Sequence, residues 1–202
     1  SSVLELGAIP KIIGIARDNR GSVIDMIEKS LHSDFVISSA GVSKGDYDVV
    51  KDVMGEMGNL NFWSVNMRPA KPLAFGKLKN DNSFVPIIGL PGNPVSSLVA
   101  FEQFCRPAIR KMMGKSIDDR KIIRAKLTDS IENYDSRRVY ARVIVESTNG
   151  IFTATTTGDQ GSNILTSMAK ANGLAICPED IPEILPGQEV DVILLDNSIH
   201  LN

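Results

Sequence analysis

Cysteine is scarce: Cys105 and Cys177 are the only two in 202 residues, and no CxxC spacing occurs. That excludes a disulfide framework and a zinc site of ordinary spacing, so both are expected as reduced core thiols. Aromatics make up 5% of the chain, with a single tryptophan, Trp63, expected in the core rather than as a stacking platform. His32 and His200 have no His, Cys or carboxylate at ligand spacing and are expected at the surface. No Ser-His-Asp or Cys-His constellation can be assembled. Positive charge is in no surplus: 22 Lys and Arg face 24 Asp and Glu, a net charge of −2, without a basic block. Nucleic acid is therefore not an expected partner. Apolar runs are no longer than a strand, so neither a transmembrane helix nor a signal peptide is expected, and a cytoplasmic location follows by default.

What is there is a chain that is 43% hydrophobic, enough for one large domain or two small ones. Ser1–Gly7 reads as the end of a helix stopped by Gly7, so further sequence upstream is expected. Lys11–Ala16 (KIIGIA) predicts a buried strand, Gly21–His32 a helix, and Asp34–Ser39 a second buried strand. A helix is expected from Tyr47 to about Met57, a third strand over Leu60–Met67, and a hairpin from Leu73–Leu78 and Phe84–Leu90. Asn93-Pro94 opens a long helix to Met113, with Asn as cap, Pro in the first turn and a kink at Pro107. Strand–helix alternation with continuous apolar strands predicts an α/β domain, a mostly parallel sheet covered on both faces, over residues 1–118. From residue 119 to 202 the apolar pattern has period two. Val139, Ala141, Val143 and Val145 share one face of a strand and Tyr140, Arg142 and Ile144 the other, which predicts a small all-β domain.

Three segments could carry chemistry. The first is Ser38-Ser39-Ala40-Gly41-Val42-Ser43-Lys44-Gly45-Asp46-Tyr47-Asp48, which leaves the carboxyl end of a strand and enters a helix. Ligands of open α/β sheets bind at this edge, and a helix N-terminus suits phosphate. An ordinary turn uses the same residues. Asp46 and Asp48 would flank a Mg²⁺ ion bound to phosphate, or they cap the helix and favour its first turn. The second segment is Arg68-Pro69-Ala70-Lys71-Pro72, in which two prolines hold two cations in a stiff run suited to clamping an oxyanion. The third is Gly89-Leu90-Pro91-Gly92-Asn93-Pro94-Val95-Ser96, another strand-to-helix junction whose Asn93 caps a helix or reaches a ligand.

Three stretches, SSAGVSKGDYDVVKDVM, NFWSVNMRPAKPLAFGKL and PIIGLPGNPVSSLVAFEQFCRPAIRKMMG, resemble the molybdopterin molybdenumtransferase family, to which the gephyrin C-terminal domain is related. RRVYARVIV, GDQGSNILTSMAKANGLAICPED and PGQEVDVILL extend the resemblance over nearly the whole chain. It implies a three-layer molybdopterin-binding α/β fold followed by a small β-barrel-like domain. It also implies the last step of molybdenum cofactor synthesis: insertion of molybdate into adenylylated molybdopterin, with release of AMP and the help of Mg²⁺. Carried over, Asp48 would hold Mg²⁺ or aid cleavage of the phosphoanhydride, with Asp18 in support. Lys71, Arg68 and Ser43 would hold molybdate or the neighbouring phosphate. Ser39, Gly41, Val42, Gly45, Asp46, Pro69, Pro72, Pro91, Gly92, Asn93, Pro94 and Ser96 would line the pterin site, and Arg137 and Ser162 would approach the molybdate from the β domain. The implied partners are a second copy in the full-length protein and an upstream molybdopterin adenylyltransferase. A gephyrin-like scaffolding module is the alternative.

Three residues depart from the family pattern. Ala40 and Ala70 stand where glycines are usual, and Arg68 where lysine is. Family members also begin with an extended domain, a small second domain and an acidic strand-end loop, which are expected upstream of Ser1.

Overall fold

The computed structural model describes residues 1–40, 49–81, 83–116 and 120–195. In chain order the elements are α1 (Ser2–Glu5), α2 (Arg20–Ser30), β1 (Val36–Ser39), α3 (Val49–Met57), β2 (Gly58–Ser64), β3 (Met67–Arg68), β4 (Pro72–Asn80), β5 (Ser83–Leu90), α4 (Pro94–Ala100) and α5 (Arg106–Met112). They continue as β6 (Ile122–Leu127), β7 (Ile131–Glu132), β8 (Arg138–Thr148), β9 (Ile151–Thr156), α6 (Leu165–Lys170), β10 (Gly173–Cys177), β11 (Glu183–Ile184) and β12 (Glu189–Leu194). The chain divides into two compact units, Ser1–Val65 with Ala70–Ile117, and Asn66–Pro69 with Asp118–Asn202. Residues 66–69, which the sequence keeps in the α/β domain, group with the β unit.

The first unit is built on a four-stranded sheet of order β1-β5-β4-β2. Within this sheet β1 and β5 pair in parallel, while β5–β4 and β4–β2 are antiparallel. The sheet is therefore mixed. The predicted hairpin is β4–β5. One face is covered by α2 and α3, where Val23, Ile27, Val53 and Met54 bury against Leu78 and Ile87. Six side chains of that size, each contributing about 1.5–3 kcal/mol when fully buried, are the main cohesive force of this layer. Asn19 caps α2 by accepting from the Ser22 amide at 2.9 Å.

Several sequence expectations are corrected. Lys11–Ala16 forms no strand: Ile12 and Ile15 are both 92% exposed. An apolar run becomes a strand only when a neighbour satisfies its backbone, and none of the described strands pairs with it. Trp63 is 60% exposed on β2, at the sheet margin, and not in the core. The long helix after Asn93 is interrupted by a π-helical stretch, Phe101–Cys105, just ahead of Pro107. The widened turn takes up the strain at the proline in place of a simple kink. His32 is exposed, and His200 lies outside the described residues.

The second unit is a barrel. Strands β10-β12-β6-β9-β8 follow one another in a sheet, and β10 also pairs with β8, closing the ring. Closure leaves these five strands no free edge. β3 adds to the outside of β8 in parallel. Ala125, Leu127, Val139, Ala141, Val143, Val145, Ala175, Val190 and Val192 fill the interior. Gly173 is required there: a Cβ would stand 2.7 Å from Val192 Cγ1.

Both cysteines are free and buried. Burial pushes the Cys105 thiol up to about 12 and shifts Cys177 in the same direction. Both should therefore resist iodoacetamide at mildly alkaline pH in the native chain and label fully in guanidinium chloride. Rapid native labelling of Cys105 would contradict this packing.

Candidate functional site

In the first unit, pairing of β1 with β5 sets Ser38 beside Gly89 and Ser39 beside Leu90. Both strands thus end at the same sheet edge, side by side. Beyond the ladder the Ala40 amide donates to the Leu90 carbonyl at 3.0 Å. Gly92 lies against Ala40: a Cβ on Gly92 would meet the Ala40 Cβ at 3.4 Å. Because β5–β4 and β4–β2 are antiparallel, β2 ends and β4 begins at that same edge. Lys71, the residue before β4, is exposed there, and its carbonyl accepts from the Val65 amide at 2.8 Å. Ser39, Lys71, Pro72, Pro91, Gly92, Asn93, Pro94 and Ser96 therefore gather at one edge of one sheet.

The donors available at this edge are fewer than the sequence suggests. Asn93 Oδ1 accepts from the Val95 amide at 3.1 Å and the Ser96 amide at 3.4 Å. The first amides of α4 are thus occupied by its own cap. Ser38 Oγ is buried and has no hydrogen-bond partner. Gly41, Val42, Ser43, Gly45, Asp46 and Asp48 lie outside the described residues. Asp18 is exposed, just ahead of the α2 cap Asn19. Among the described residues no group of three His, Cys, Asp or Glu could hold a metal ion.

The second unit carries a separate cluster of charge. Arg68, on β3, donates through Nη2 to the Glu132 carbonyl and stacks over the Tyr134 ring, 4.0 Å from its centroid. Its Nη1 stands 3.8 Å from Asp135 Oδ2. Arg137 donates to the same Oδ2 through Nε, at 2.8 Å, and through Nη2, and its Nη1 reaches the Met67 carbonyl at 3.3 Å. Burial opposes charge on Asp135, but the Arg137 hydrogen bonds and both guanidinium charges outweigh it and hold the carboxyl below its usual range. Pro69 is buried behind Arg68 in the chain. Arg68 and Lys71, read from sequence as one clamp, belong to different units.

Ser162 lies in the loop between β9 and α6, which β8 holds at several points. Arg142, only 1% exposed, donates to Ser167 Oγ at 3.1 Å and to the Gly161 carbonyl at 3.0 Å. Gln160 accepts from the Arg142 amide and donates to its carbonyl. Burial pulls the Arg142 guanidinium down from its usual range, with the Asp159 carboxylate opposing. Sequence alone identified neither Arg142 nor Asp135 as part of these sites. Period two places Arg142 opposite the barrel interior but does not show that a loop covers that face.

Residues 1–111 match the family model described as "Probable molybdopterin binding domain", which is more than half of the chain. The chain belongs to that family. Residues 124–195 match the MoeA C-terminal region, domain IV. Among curated relatives, molybdopterin molybdenumtransferase 2 of Mycobacterium tuberculosis is 36% identical over 178 residues, covering 85% of this chain and 42% of the relative. The molybdopterin molybdenumtransferase of a Nostoc species is 33% identical, covering 96% and 45%. Gephyrin of Dictyostelium discoideum is also 33% identical, covering 91% and 29%. The structure of a MoeA molybdopterin biosynthesis protein from Pyrococcus horikosii superposes with a TM-score of 0.78 at 27% identity, covering 97% of this chain and 46% of that one. The chain thus spans less than half the length of these curated relatives.

Both alanines that depart from the MoeA pattern adopt left-handed backbone conformations, Ala40 at φ +74° and Ala70 at φ +76°. A left-handed alanine costs about 1–2 kcal/mol, and a glycine loses about 0.4–1 kcal/mol through its freer unfolded state. Ala40 is exposed, so Ala40→Gly should stabilise by about 0.5–1 kcal/mol. Ala70 is 4% exposed, and losing its buried methyl, about 0.8 kcal/mol, should leave Ala70→Gly near neutral. Urea denaturation of the two variants checks both, and equal shifts would refute the burial argument. Arg142→Met should cost about 1–3 kcal/mol by orphaning the Gly161 carbonyl, and hydrogen exchange should speed up across residues 160–167.

Proposed function

We propose that this chain forms the ligand-binding portion of a molybdopterin molybdenumtransferase, which inserts molybdate into adenylylated molybdopterin and releases AMP. The observation that carries this reading is the β1–β5 register, which brings the Ser39–Ala40 and Leu90–Gly92 junctions together beside Lys71. The family match and the curated relatives named for that activity support it.

Within this reading each residue does ordinary work on an anionic substrate. Lys71 supplies an exposed cation for a phosphate or for molybdate. Ser39, Gly92 and Pro91 offer a small-residue surface that a flat pterin can approach, and Ser96, Asn93 and Pro94 fix the shape of that wall. Pro72 fixes the strand entry behind Lys71. Gly41, Val42, Ser43, Gly45 and Asp46 would complete the phosphate-binding loop. In the second unit Arg68, held beside Pro69, and Arg137 present guanidinium groups suited to a tetrahedral dianion, with Ser162 adding a hydroxyl. Mg²⁺, assigned by resemblance to Asp48 with support from Asp18, would neutralise charge on the leaving AMP. The proposal extends to a cytoplasmic homodimer in the whole protein, supplied by a molybdopterin adenylyltransferase.

The relative named gephyrin keeps open a scaffolding role, and a binding measurement separates the two readings. The chain should bind molybdopterin, and Lys71→Ala should weaken binding about tenfold, the worth of one charge-assisted hydrogen bond, without lowering Tm. Absence of molybdopterin binding by this chain would overturn the catalytic reading.

A further inference from the structure

Two arginines in the second unit converge on one carboxylate, and neither is fully satisfied by it. Arg137 directs both Nε and Nη2 at Asp135 Oδ2 and its remaining nitrogen at the Met67 carbonyl. Arg68 Nη1 lies 3.8 Å from the same oxygen, beyond hydrogen-bond distance, and is buried with no acceptor. Asp135 Oδ1 is likewise buried and accepts nothing. A bidentate pair would engage both carboxylate oxygens, and this one loads three nitrogens onto one side. Asp135 thus neutralises half the charge of the pair and meets only part of its hydrogen-bonding capacity.

We infer that Asp135 is an internal competitor for the oxyanion that Arg68 and Arg137 receive, and that it sets how tightly the oxyanion binds. The inference rests on the proposed function for the oxyanion itself, and on the geometry of this cluster for the competition. A tetrahedral dianion carries four acceptor oxygens and could meet Arg68 Nη1 and Arg137 Nε and Nη2 together, which one carboxylate oxygen does not. Three features let Asp135 yield its place. Its side chain is 21% exposed, so the carboxylate can turn into water. It stands in the short connection between β7 and β8, outside both ladders. The next residue, Ser136, already has a left-handed φ of +52°, marking a turn rather than a strand.

Arg68 and Arg137 themselves stay anchored when Asp135 leaves. Arg68 keeps the Glu132 carbonyl and the Tyr134 ring, and Arg137 keeps the Met67 carbonyl. The receiving cations are therefore held in place by neutral groups, and the one charged partner is the displaceable one. Arg142, the buried cation of β8, is tied to Ser167 and Gly161.

The test is titration calorimetry of the 202-residue chain with sodium molybdate and, separately, with sodium sulfate, a dianion of the same shape without the metal. Asp135→Asn should bind both oxyanions about two- to fivefold more tightly than the unaltered chain, the effect of removing one partly exposed competing charge. Equal or weaker binding by Asp135→Asn, with measurable binding by the unaltered chain, would overturn the competition and leave the oxyanion site standing. Binding that persists unchanged in Arg137→Gln would instead overturn the assignment of oxyanion to the arginines. A second readout needs no variant at Asp135: at saturating molybdate the Arg137 Nε–H resonance should shift as its carboxylate partner is exchanged. An unmoved resonance at saturation would also end the proposal.

Discussion

Four paired residues on each of two strands, Val36–Ser39 and Ile87–Leu90, decide which loops of the first unit become neighbours. Parallel pairing forces both strands to finish at one edge, so the residues that follow them must meet. A slip of one residue would turn every side chain of β1 to the other face and move Ala40 away from Leu90 and Gly92. The buried layer from α2 and α3 resists that slip, because Val36 of β1 packs against the cluster of Val23, Ile27, Val53 and Ile87 and would have to turn away from it. Core packing and the location of the candidate site are thus two consequences of one register.

The second unit solves a different problem, that of holding cations against the outer side of a closed barrel. Arg142 is held by a carbonyl and a hydroxyl, and Arg68 by a carbonyl and an aromatic face. Neutral partners offset part of the desolvation without cancelling the charge. The result is a positively charged cluster in which Arg68 and Arg137 each hold a neutral partner beside the carboxylate. Such a cluster is of use to an anionic ligand, since a cation locked into a symmetrical salt bridge has little to offer a third party.

Local chemistry made much of this legible. The β4–β5 hairpin followed from apolar runs around a polar turn, the Asn93 cap from Asn-Pro, the barrel strands from period two, and the buried thiols from isolated cysteines. The misreadings share a physical origin. Lys11–Ala16 has the composition of a strand, but composition does not supply a pairing partner. Trp63 is apolar, but its strand lies at the margin of the sheet. Arg68 and Lys71 are three residues apart, but β3 pairs with β8 and β4 with β2 and β5, so their side chains answer to different units.

By itself the sequence determined most of the elements, the Asn93 cap, the family and the set of polar residues from which a site could be drawn. All of these depend on interactions within a few residues, or on motifs kept whole in the chain. Only the tertiary structure decided which of those polar residues meet and that Asp135 stands between Arg68 and Arg137. Hydrogen bonds and ion pairs are short-ranged, and their partners here are brought together by strand pairing across tens of residues of intervening chain.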